Sequence, residues 1–183
     1  MRRKPILKLL IIVSLLLVGC VAAQADTALL EAAKARRSAF LKDLETIVNI
    51  DSGTDDAEGL ARVESFLAAR LRALGADVEV LPAPPAAGKM VVGTLHGKGA
   101  ADIMLLIHYD TVFGAGEAAR RPFRVEGTRA YGPGVADAKG GALIILHGLE
   151  MARERGSTGY KRLTVLFNPD EEKSSLGSRE TIR

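Results

Sequence analysis

The chain has 183 residues, of which 48% are hydrophobic and 26% are charged. This length is enough for one domain with a buried core, and the composition excludes an intrinsically disordered chain. The formal net charge is +3, but the first 25 residues contain four of the 25 basic residues and no acid. The other 21 basic residues face 22 acidic ones, so the charge gives no reason to expect nucleic acid as a partner.

The first 25 residues have the pattern of a secretory signal peptide. A basic N-terminal segment is followed by the apolar run Leu9–Val18 and by a short cleavage region with small residues that ends at Ala25. The apolar run is too short for a membrane-spanning helix. We therefore predict export to the periplasm of a bacterial envelope. The segment "LVGC", ending at Cys20, resembles a bacterial lipoprotein box, so a lipid anchor at Cys20 and cleavage after Ala25 both stay open. Because Cys20 is the single cysteine, no internal disulfide can form.

From residue 26 onward, the hydrophobic period alternates between that of a helix and that of a strand. Strands that alternate with long helices predict an α/β sheet with helices on both faces. We predict helices over 26–50, 59–75 and 138–155, strands over 77–82, 89–97, 102–108 and 162–168, a hairpin over 123–132 that turns at Glu126 and Gly127, and a last helix from about Leu176.

The first of three unusual junctions is "IMLLIHYDTV", where an apolar strand ends at His108 and Asp110 follows two residues later. Residues two apart in an extended chain point to the same side. This spacing suits a metal-binding histidine with a carboxylate that orients its ring. The alternative is an ordinary strand end at the surface.

The second junction places Asp137 just before a helix with Gly140 and Gly141 in its first turn. Asp137 is either a helix N-cap or a functional carboxylate. Two helical glycines cost about 2 kcal/mol together relative to alanine. Close approach of this helix to another segment or to a ligand would explain that choice.

The third junction follows the strand over 162–168 and contains three consecutive acids, Asp170, Glu171 and Glu172. They could open a helix, with Asp170 as its N-cap and both glutamates in the first turn. The serines and the glycine that follow favour caps and loops over helix interiors. We therefore predict a loop at a strand end.

Together the three junctions supply one imidazole and several carboxylates, without a thiolate. This donor set suits zinc or another divalent ion in a hydrolytic site. The other two histidines, His96 in a strand and His147 inside a helix, are predicted to be structural.

The segments "HYDTV", "AYGPGVADAKGG" and "NPDEEKSSLGSR", in this order, resemble the co-catalytic zinc exopeptidase family of glutamate carboxypeptidase, acetylornithine deacetylase, succinyl-diaminopimelate desuccinylase and aminoacylase. The similarity runs from about Leu41 to Arg183 and is greatest to exported bacterial glutamate carboxypeptidases. The resemblance implies that residues 26–183 are the N-terminal part of a zinc peptidase catalytic domain.

The resemblance also implies a role for each site residue. His108 would bind one zinc ion, Glu172 would bind a second, and Asp137 would bridge the two. Asp110 would orient His108, and Glu171 would be the general base. Relatives commonly have a cis peptide bond after the bridging aspartate, here Asp137.

The chain departs from the family pattern in three respects. The family's catalytic domain continues beyond this length, and it is interrupted by a smaller lid or dimerisation domain. It also supplies one further acidic ligand and a late histidine ligand, so here we expect two protein ligands for each zinc ion and little turnover. Ser174 stands where relatives tend to have glycine.

The resulting hypothesis is zinc-dependent hydrolysis that releases a C-terminal amino acid, glutamate in the first instance, from a small peptide or an N-acyl conjugate. One alternative is an N-acyl-amino-acid deacylase. An alternative of another class is a truncated, inactive metal-binding protein of the envelope. The complete enzyme could form a homodimer through the lid domain.

Overall fold

A computed structural model of the chain describes residues 27–182. The predicted signal peptide and Cys20 lie outside these residues. The chain divides into two units, with the boundary between residues 35 and 36. In the first unit, α1 (Thr27–Ala35) has no buried residue.

The prediction of a single helix over 26–50 is wrong, because α1 ends before α2 (Arg37–Val48) begins. Arg36 lies between the two helices as the N-cap of α2, and its guanidinium pairs with Glu150 and Glu154. That long-range ion pairing has no signature in the local hydrophobic period.

The second unit contains the other helices and the strands that the structure describes. In chain order they are α2, α3 (Ala57–Ala73), β1 (Asp77–Pro82), β2 (Lys89–His96), β3 (Ala101–His108), α4 (Glu117–Arg120), β4 (Arg124–Glu126), β5 (Arg129–Tyr131), α5 (Lys139–Glu154), β6 (Tyr160–Asn168) and α6 (Arg179–Ile182). The predicted α/β class is confirmed. Across the described part of the chain, no helix combines the length and the apolar character needed to cross a bilayer.

The main sheet has four strands in the order β1-β2-β6-β3. β2 pairs antiparallel with both β1 and β6, whereas β3 runs parallel to β6. In the β3–β6 register, His108 lies opposite Asn168. The carboxyl ends of both strands therefore meet at one edge of the sheet, which is where ligands bind in open α/β sheets.

Three helices cover one face of this sheet and build the core. Apolar residues of α2, α3 and α5, such as Ile47, Leu67 and Leu146, form one buried cluster with Val165 and Phe167 of β6. Each such side chain stabilises the fold by roughly 1.5 to 3 kcal/mol when fully buried. The core thus holds β6, the strand that leads into the acidic junction, in a fixed position.

The opposite face of the sheet carries less helical structure among the described residues. Thr181 of α6 borders a groove on this face together with Met104 and Leu166. Met104 is 46% exposed and Leu106 is 43% exposed. We predicted helices on both faces of the sheet. The three long helices of this unit, α2, α3 and α5, lie on the same face.

The predicted hairpin is present as β4 and β5, but its turn lies one residue later than expected. Glu126 pairs with Arg129, so Gly127 and Thr128 form the turn. Gly127 has φ +59°, which favours glycine.

Candidate metal centre

His108 ends β3 at the carboxyl edge of the sheet, and its ring is fixed from two sides. It is 8% exposed. Its Nδ1 lies 3.2 Å from Oδ1 of the fully buried Asp110, and its Nε2 lies 2.9 Å from Oδ1 of Asp137. Asp110 thus contacts one ring nitrogen, as the His-x-Asp spacing predicts, and leaves the other facing Asp137.

Asp137 does not cap α5. The N-cap is Ala138, which makes no side-chain cap hydrogen bond, and the Asp137 side chain is 77% exposed and reaches His108. The peptide bond between Asp137 and Ala138 is cis, as the resemblance implies. The capping interpretation of Asp137 therefore does not describe this junction.

The two glycines of α5 permit close packing next to Asp137. A Cβ atom on Gly141 would lie 2.2 Å from Cδ1 of Ile107, and one on Gly140 would lie 2.4 Å from the carbonyl oxygen of Val135. Both distances are shorter than real Cβ contacts. A side chain at position 140 would meet the backbone of the preceding loop, and one at position 141 would have to displace the end of the Ile107 side chain of β3. Both glycines therefore fit the predicted close approach to another segment.

Glu171 and Glu172 lie in a 3₁₀ turn, Glu171–Lys173, with Asp170 as its N-cap residue, where we predicted a loop. The turn arises because the Glu171 and Glu172 backbone amides donate to the Asp110 carboxylate at 3.1 and 3.2 Å. This tertiary contact is not visible in the local sequence. Ser174, which follows the turn, has φ +62°, a conformation that favours the glycine of the relatives.

Asp170 organises the loop after the turn. It is 2% exposed, and its carboxylate accepts hydrogen bonds from the amides of Gly177 and Ser178 and from the Ser178 hydroxyl. Asp170 therefore has a structural role in the loop, and its side chain makes no cap hydrogen bond with the 3₁₀ turn.

The three predicted metal-binding residues come together. One donor atom from each of His108, Asp137 and Glu172 lies within 4.8 Å of the others. Glu171 Oε2 lies 3.9 Å from His108 Nε2, and the Glu171 side chain is 56% exposed. One imidazole nitrogen and carboxylate oxygens, at such distances, fit a divalent transition metal such as zinc.

The charges of the cluster shift the pKa values of its members. Burial lowers the pKa of His108, but the hydrogen bond and charge of Asp110, with Asp137 and Glu171, outweigh burial and raise it to about 9. Burial raises the pKa of Glu172, and the negative charge of Asp137 adds to that effect. Concentrated carboxylates favour a positive charge at this position, whether a proton or a cation.

Sequence reasoning assigned no site residue to the segment 50–54. Lys139 is fully buried, and its ammonium donates to the Ile50 carbonyl oxygen at 2.6 Å. Burial lowers the pKa of Lys139 to about 8, against the charge of Asp51. The Thr54 hydroxyl donates to Asp110 Oδ2 at 2.7 Å. The local sequence "DSGTDD" carries no signal for these contacts.

The other two histidines lie outside the cluster. His147 Nε2 is 2.9 Å from Oδ2 of Asp43, and its ring contacts Phe40 edge to face at 5.4 Å. His96 is exposed and lies 3.3 Å from Asp77. Both positions agree with the structural role predicted for these residues.

The comparison with known families decides the classification. Residues 104–183, which carry all three junctions, match the model of peptidase family M20/M25/M40. The chain is also 47% identical over 159 residues to carboxypeptidase G2 of Pseudomonas sp. (strain RS-16). The chain therefore resembles peptidase family M20/M25/M40 over the residues that carry the candidate site. It is further 38% identical over 124 residues to acetylornithine deacetylase of Edwardsiella ictaluri.

The similarity covers most of this chain but a smaller part of its relatives. The alignment with carboxypeptidase G2 spans 86% of this chain and 38% of that protein. The alignment with acetylornithine deacetylase spans 64% of this chain and 31% of the relative. The chain thus spans about a third of the length of these relatives.

Solved structures share the fold of this chain. Human carnosine dipeptidase 1 superposes with a TM-score of 0.70 at 17% identity, over 81% of this chain and 35% of that one. An M20 family metallo-carboxypeptidase from Sulfolobus solfataricus gives a TM-score of 0.68 at 18% identity, over 78% of this chain and 33% of that one. At such low identity the superposition establishes the fold.

Proposed function

We propose that this chain forms part of a metal-dependent hydrolase that cleaves a peptide or amide bond and releases a C-terminal amino acid. The observation that carries the proposal is the convergence of His108, Asp137 and Glu172 at one sheet edge, with donor atoms within 4.8 Å. The resemblance to a peptidase family supports it. An inactive envelope protein would give no reason to bring these three side chains together.

Zinc is the metal we propose, with two ions in the complete enzyme. His108 and Asp137 would hold one ion, and Asp137 and Glu172 would hold the other. Bound zinc supplies Lewis acidity toward the scissile carbonyl and a lowered pKa for water. The donor set supports this assignment because it contains imidazole and carboxylates.

The protein's own residues orient the site and move protons. The Asp110 carboxylate lies 3.2 Å from Nδ1 of His108, so the proton is held at Nδ1 and the Nε2 lone pair faces the cluster. We assign the general base to Glu171, whose half-exposed carboxylate lies beside the cluster. It would take a proton from the attacking water and pass it to the leaving amine.

The turn geometry supports different roles for the two adjacent glutamates. Successive residues of a 3₁₀ helix project about 120° apart, since the helix has about three residues per turn. The Glu172 carboxylate can therefore join His108 and Asp137 while the Glu171 carboxylate faces solvent, where a substrate water would enter.

The proposed substrate is a small peptide or N-acyl conjugate that ends in glutamate. The support is the greater identity to carboxypeptidase G2, at 47%, than to acetylornithine deacetylase, at 38%. Deacylation of an N-acyl amino acid is the second candidate. The deacetylase similarity favours it, and both reactions cleave an amide bond.

The test uses the complete reading frame that encodes this chain. Hydrolysis of an N-acyl-glutamate and of N-acetylornithine is measured side by side, before and after chelation and after zinc is restored. We expect higher kcat/KM for the N-acyl-glutamate, loss of activity with chelator and recovery with zinc. Activity that survives complete metal removal would contradict the proposal, whereas a preference for N-acetylornithine would favour the deacylase.

We also propose that the protein is exported, from the basic, apolar and small-residue pattern of residues 1–25. Cell fractionation of a tagged chain tests this, with Cys20→Ser as the variant that distinguishes the two products. Periplasmic release of the variant with envelope retention of the parent would support a lipid anchor. Accumulation of both in the cytoplasm would contradict export.

A further inference from the structure

The Asp110 carboxylate receives four hydrogen bonds, and the shortest comes from a residue of another loop. Oδ1 lies 3.2 Å from His108 Nδ1 and 3.1 Å from the Glu171 amide nitrogen. Oδ2 lies 3.2 Å from the Glu172 amide nitrogen and 2.7 Å from the Thr54 hydroxyl. Each of the four partners can donate a hydrogen, so both oxygens are occupied.

We propose that Thr54 is a positioning residue of the metal centre, which acts through Asp110. The inference rests on the proposed metal-dependent function. A carboxylate can rotate about its Cβ–Cγ bond and offer either oxygen to a neighbour. With Oδ2 held by the Thr54 hydroxyl and the Glu172 amide, Oδ1 stays directed at His108. The hydroxyl therefore fixes the ring that faces the metal.

Thr54 is itself held firmly enough to impose this orientation. It is 7% exposed, and its backbone amide donates to the Thr111 carbonyl oxygen at 3.3 Å. The preceding residue, Gly53, forms a parallel bridge with Thr111. Thr111 directly follows Asp110, so the donor and the acceptor of the 2.7 Å bond belong to two backbones that are paired.

The segment around Thr54 has other anchors that do not touch Asp110. The Ser52 hydroxyl donates to the Tyr109 carbonyl oxygen at 3.2 Å. The Asp51 carboxylate accepts hydrogen bonds from the backbone amide of Gly116, just before α4, and from that of Ala118, within α4. The Lys139 ammonium donates to the Ile50 carbonyl oxygen. Removal of the Thr54 hydroxyl should therefore change the orientation of the Asp110 carboxylate more than the backbone conformation of this segment.

The experiment compares Thr54→Ala with Thr54→Ser, two variants that differ by one hydroxyl group. Thr54→Val fills the space with an apolar group, and Ser52→Ala removes a buried hydroxyl two residues away as the control. Zinc affinity is measured by competition with a chelating dye. The unfolding midpoint with chelator present gives each variant's structural cost separately.

We expect Thr54→Ala and Thr54→Val to bind zinc about tenfold more weakly than the parent, the lower end of the range for groups that orient a ligand. Thr54→Ser and Ser52→Ala should stay within about threefold of the parent. Thr54→Ala should lower the metal-free unfolding midpoint at least as much as Ser52→Ala, because it loses a buried methyl group as well as a hydroxyl group. Only the Thr54 change should weaken zinc binding.

Each other result overturns a specific statement. A parent chain that does not bind zinc would overturn the proposed function together with this inference. If the parent binds zinc and Thr54→Ala binds it as tightly as Thr54→Ser, the inference is wrong and the proposed function stands. Equal losses in Ser52→Ala and Thr54→Ala would show a general loosening of the segment and also overturn it. If Thr54→Val does not fold, the alanine and serine pair decides.

Discussion

The Asp110 carboxylate accepts a hydrogen bond from the backbone amide of Glu171, 61 residues further along the chain, at 3.1 Å. The Glu172 amide bonds to the other oxygen of the same carboxylate. Asp110 therefore does more than orient His108. It also fixes the turn that presents both glutamates, so the imidazole and the acids of the cluster depend on one buried side chain.

We predict that Asp110→Asn weakens zinc binding by about 10- to 100-fold, as loss of a ligand-orienting group typically does. The asparagine amide nitrogen cannot accept the hydrogen bonds that one carboxylate oxygen accepts in the native protein. The free energy of unfolding should also fall by about 1–3 kcal/mol, because a buried donor loses its acceptor. Competition with a chelating dye and urea denaturation measure the two effects.

Asp102→Asn is the matched control for this substitution. Asp102 also lies on β3, but its side chain is 49% exposed and its ion pair with Arg162 is 3.4 Å long. It should leave both the zinc affinity and the stability within experimental error of the parent. Equal effects of the two substitutions would show that Asp110 has no special position.

The two adjacent glutamates should separate in their effects. In Glu172→Gln, one of the three clustered donors changes from a carboxylate to an amide, so zinc affinity should drop by about tenfold or more. Glu171→Gln should bind zinc with nearly the parent affinity and lose turnover, by about 10²- to 10⁴-fold for a general base. Metal content and hydrolysis, measured on the complete reading frame, distinguish the two.

An exchange of these phenotypes would reverse the assignment of the two residues. Full activity in Glu171→Gln would remove this residue from the proton transfer. Lys173→Met is the control from the same turn, because Lys173 pairs with Asp55 and is not one of the clustered donors.

The raised pKa of His108 predicts a pH dependence with a definite sign. In the metal-free chain the pKa rises from 6.5 to about 9, since the hydrogen bond and charge of Asp110 outweigh the opposing effect of burial. The stabilisation from the His108 proton is therefore complete below about pH 6.5 and is lost as the pH rises through about 9. Zinc requires the unprotonated imidazole, so its affinity should rise over the same range, by at most about tenfold per pH unit.

Thermal unfolding at pH 6.5, 7.5 and 9, with chelator or with zinc, measures both effects. The Tm with chelator should fall as the pH rises, while the increase in Tm produced by zinc should grow. The exposed His96 provides the control, because His96→Asn should leave this pattern unchanged. A zinc-dependent increase that is the same at all three pH values would mean that His108 does not lose a proton on binding.

The residues of the cluster could be predicted because each follows from a local pattern. An apolar run that stops at His108 marks a strand end, and paired glycines after Asp137 mark close packing. Parallel strands bring their carboxyl ends to one edge of the sheet, here through the register of His108 with Asn168. The local patterns located the three junctions, and the family resemblance selected His108, Asp137 and Glu172 among their residues.

The contacts that fix those side chains could not be predicted, because their partners are distant in sequence. Thr54 reaches Asp110 across 56 residues, and Lys139 reaches Ile50 across 89. The 3₁₀ turn at Glu171 also depends on Asp110. Nothing in the local composition distinguishes such a hydrogen bond from an ordinary turn or surface residue.

A group of charged residues that joins three helices predicts a stability effect away from the cluster. The Arg70 guanidinium of α3 lies between Asp43 of α2 and Glu150 of α5, and its distance to Glu150 is 2.5 Å. It also lies 5.7 Å from the centre of the Phe66 ring. Without Arg70, the two carboxylates would lose their shared cation while about four-fifths of each stays buried.

We predict that Arg70→Met lowers the free energy of unfolding by about 2 kcal/mol, less than the 3–5 kcal/mol typical of a fully buried pair, because these groups keep some contact with water. Arg62→Met is the control, since Arg62 lies on an exposed part of the same helix and should change stability by less than about 0.5 kcal/mol. Urea denaturation of both variants at pH 7 gives the comparison. The zinc affinity of Arg70→Met should equal that of the parent, because Arg70 pairs with residues of the helices and contacts none of the clustered metal donors. A variant as stable as the parent would show that the apolar contacts among the three helices hold them together without this ion pair.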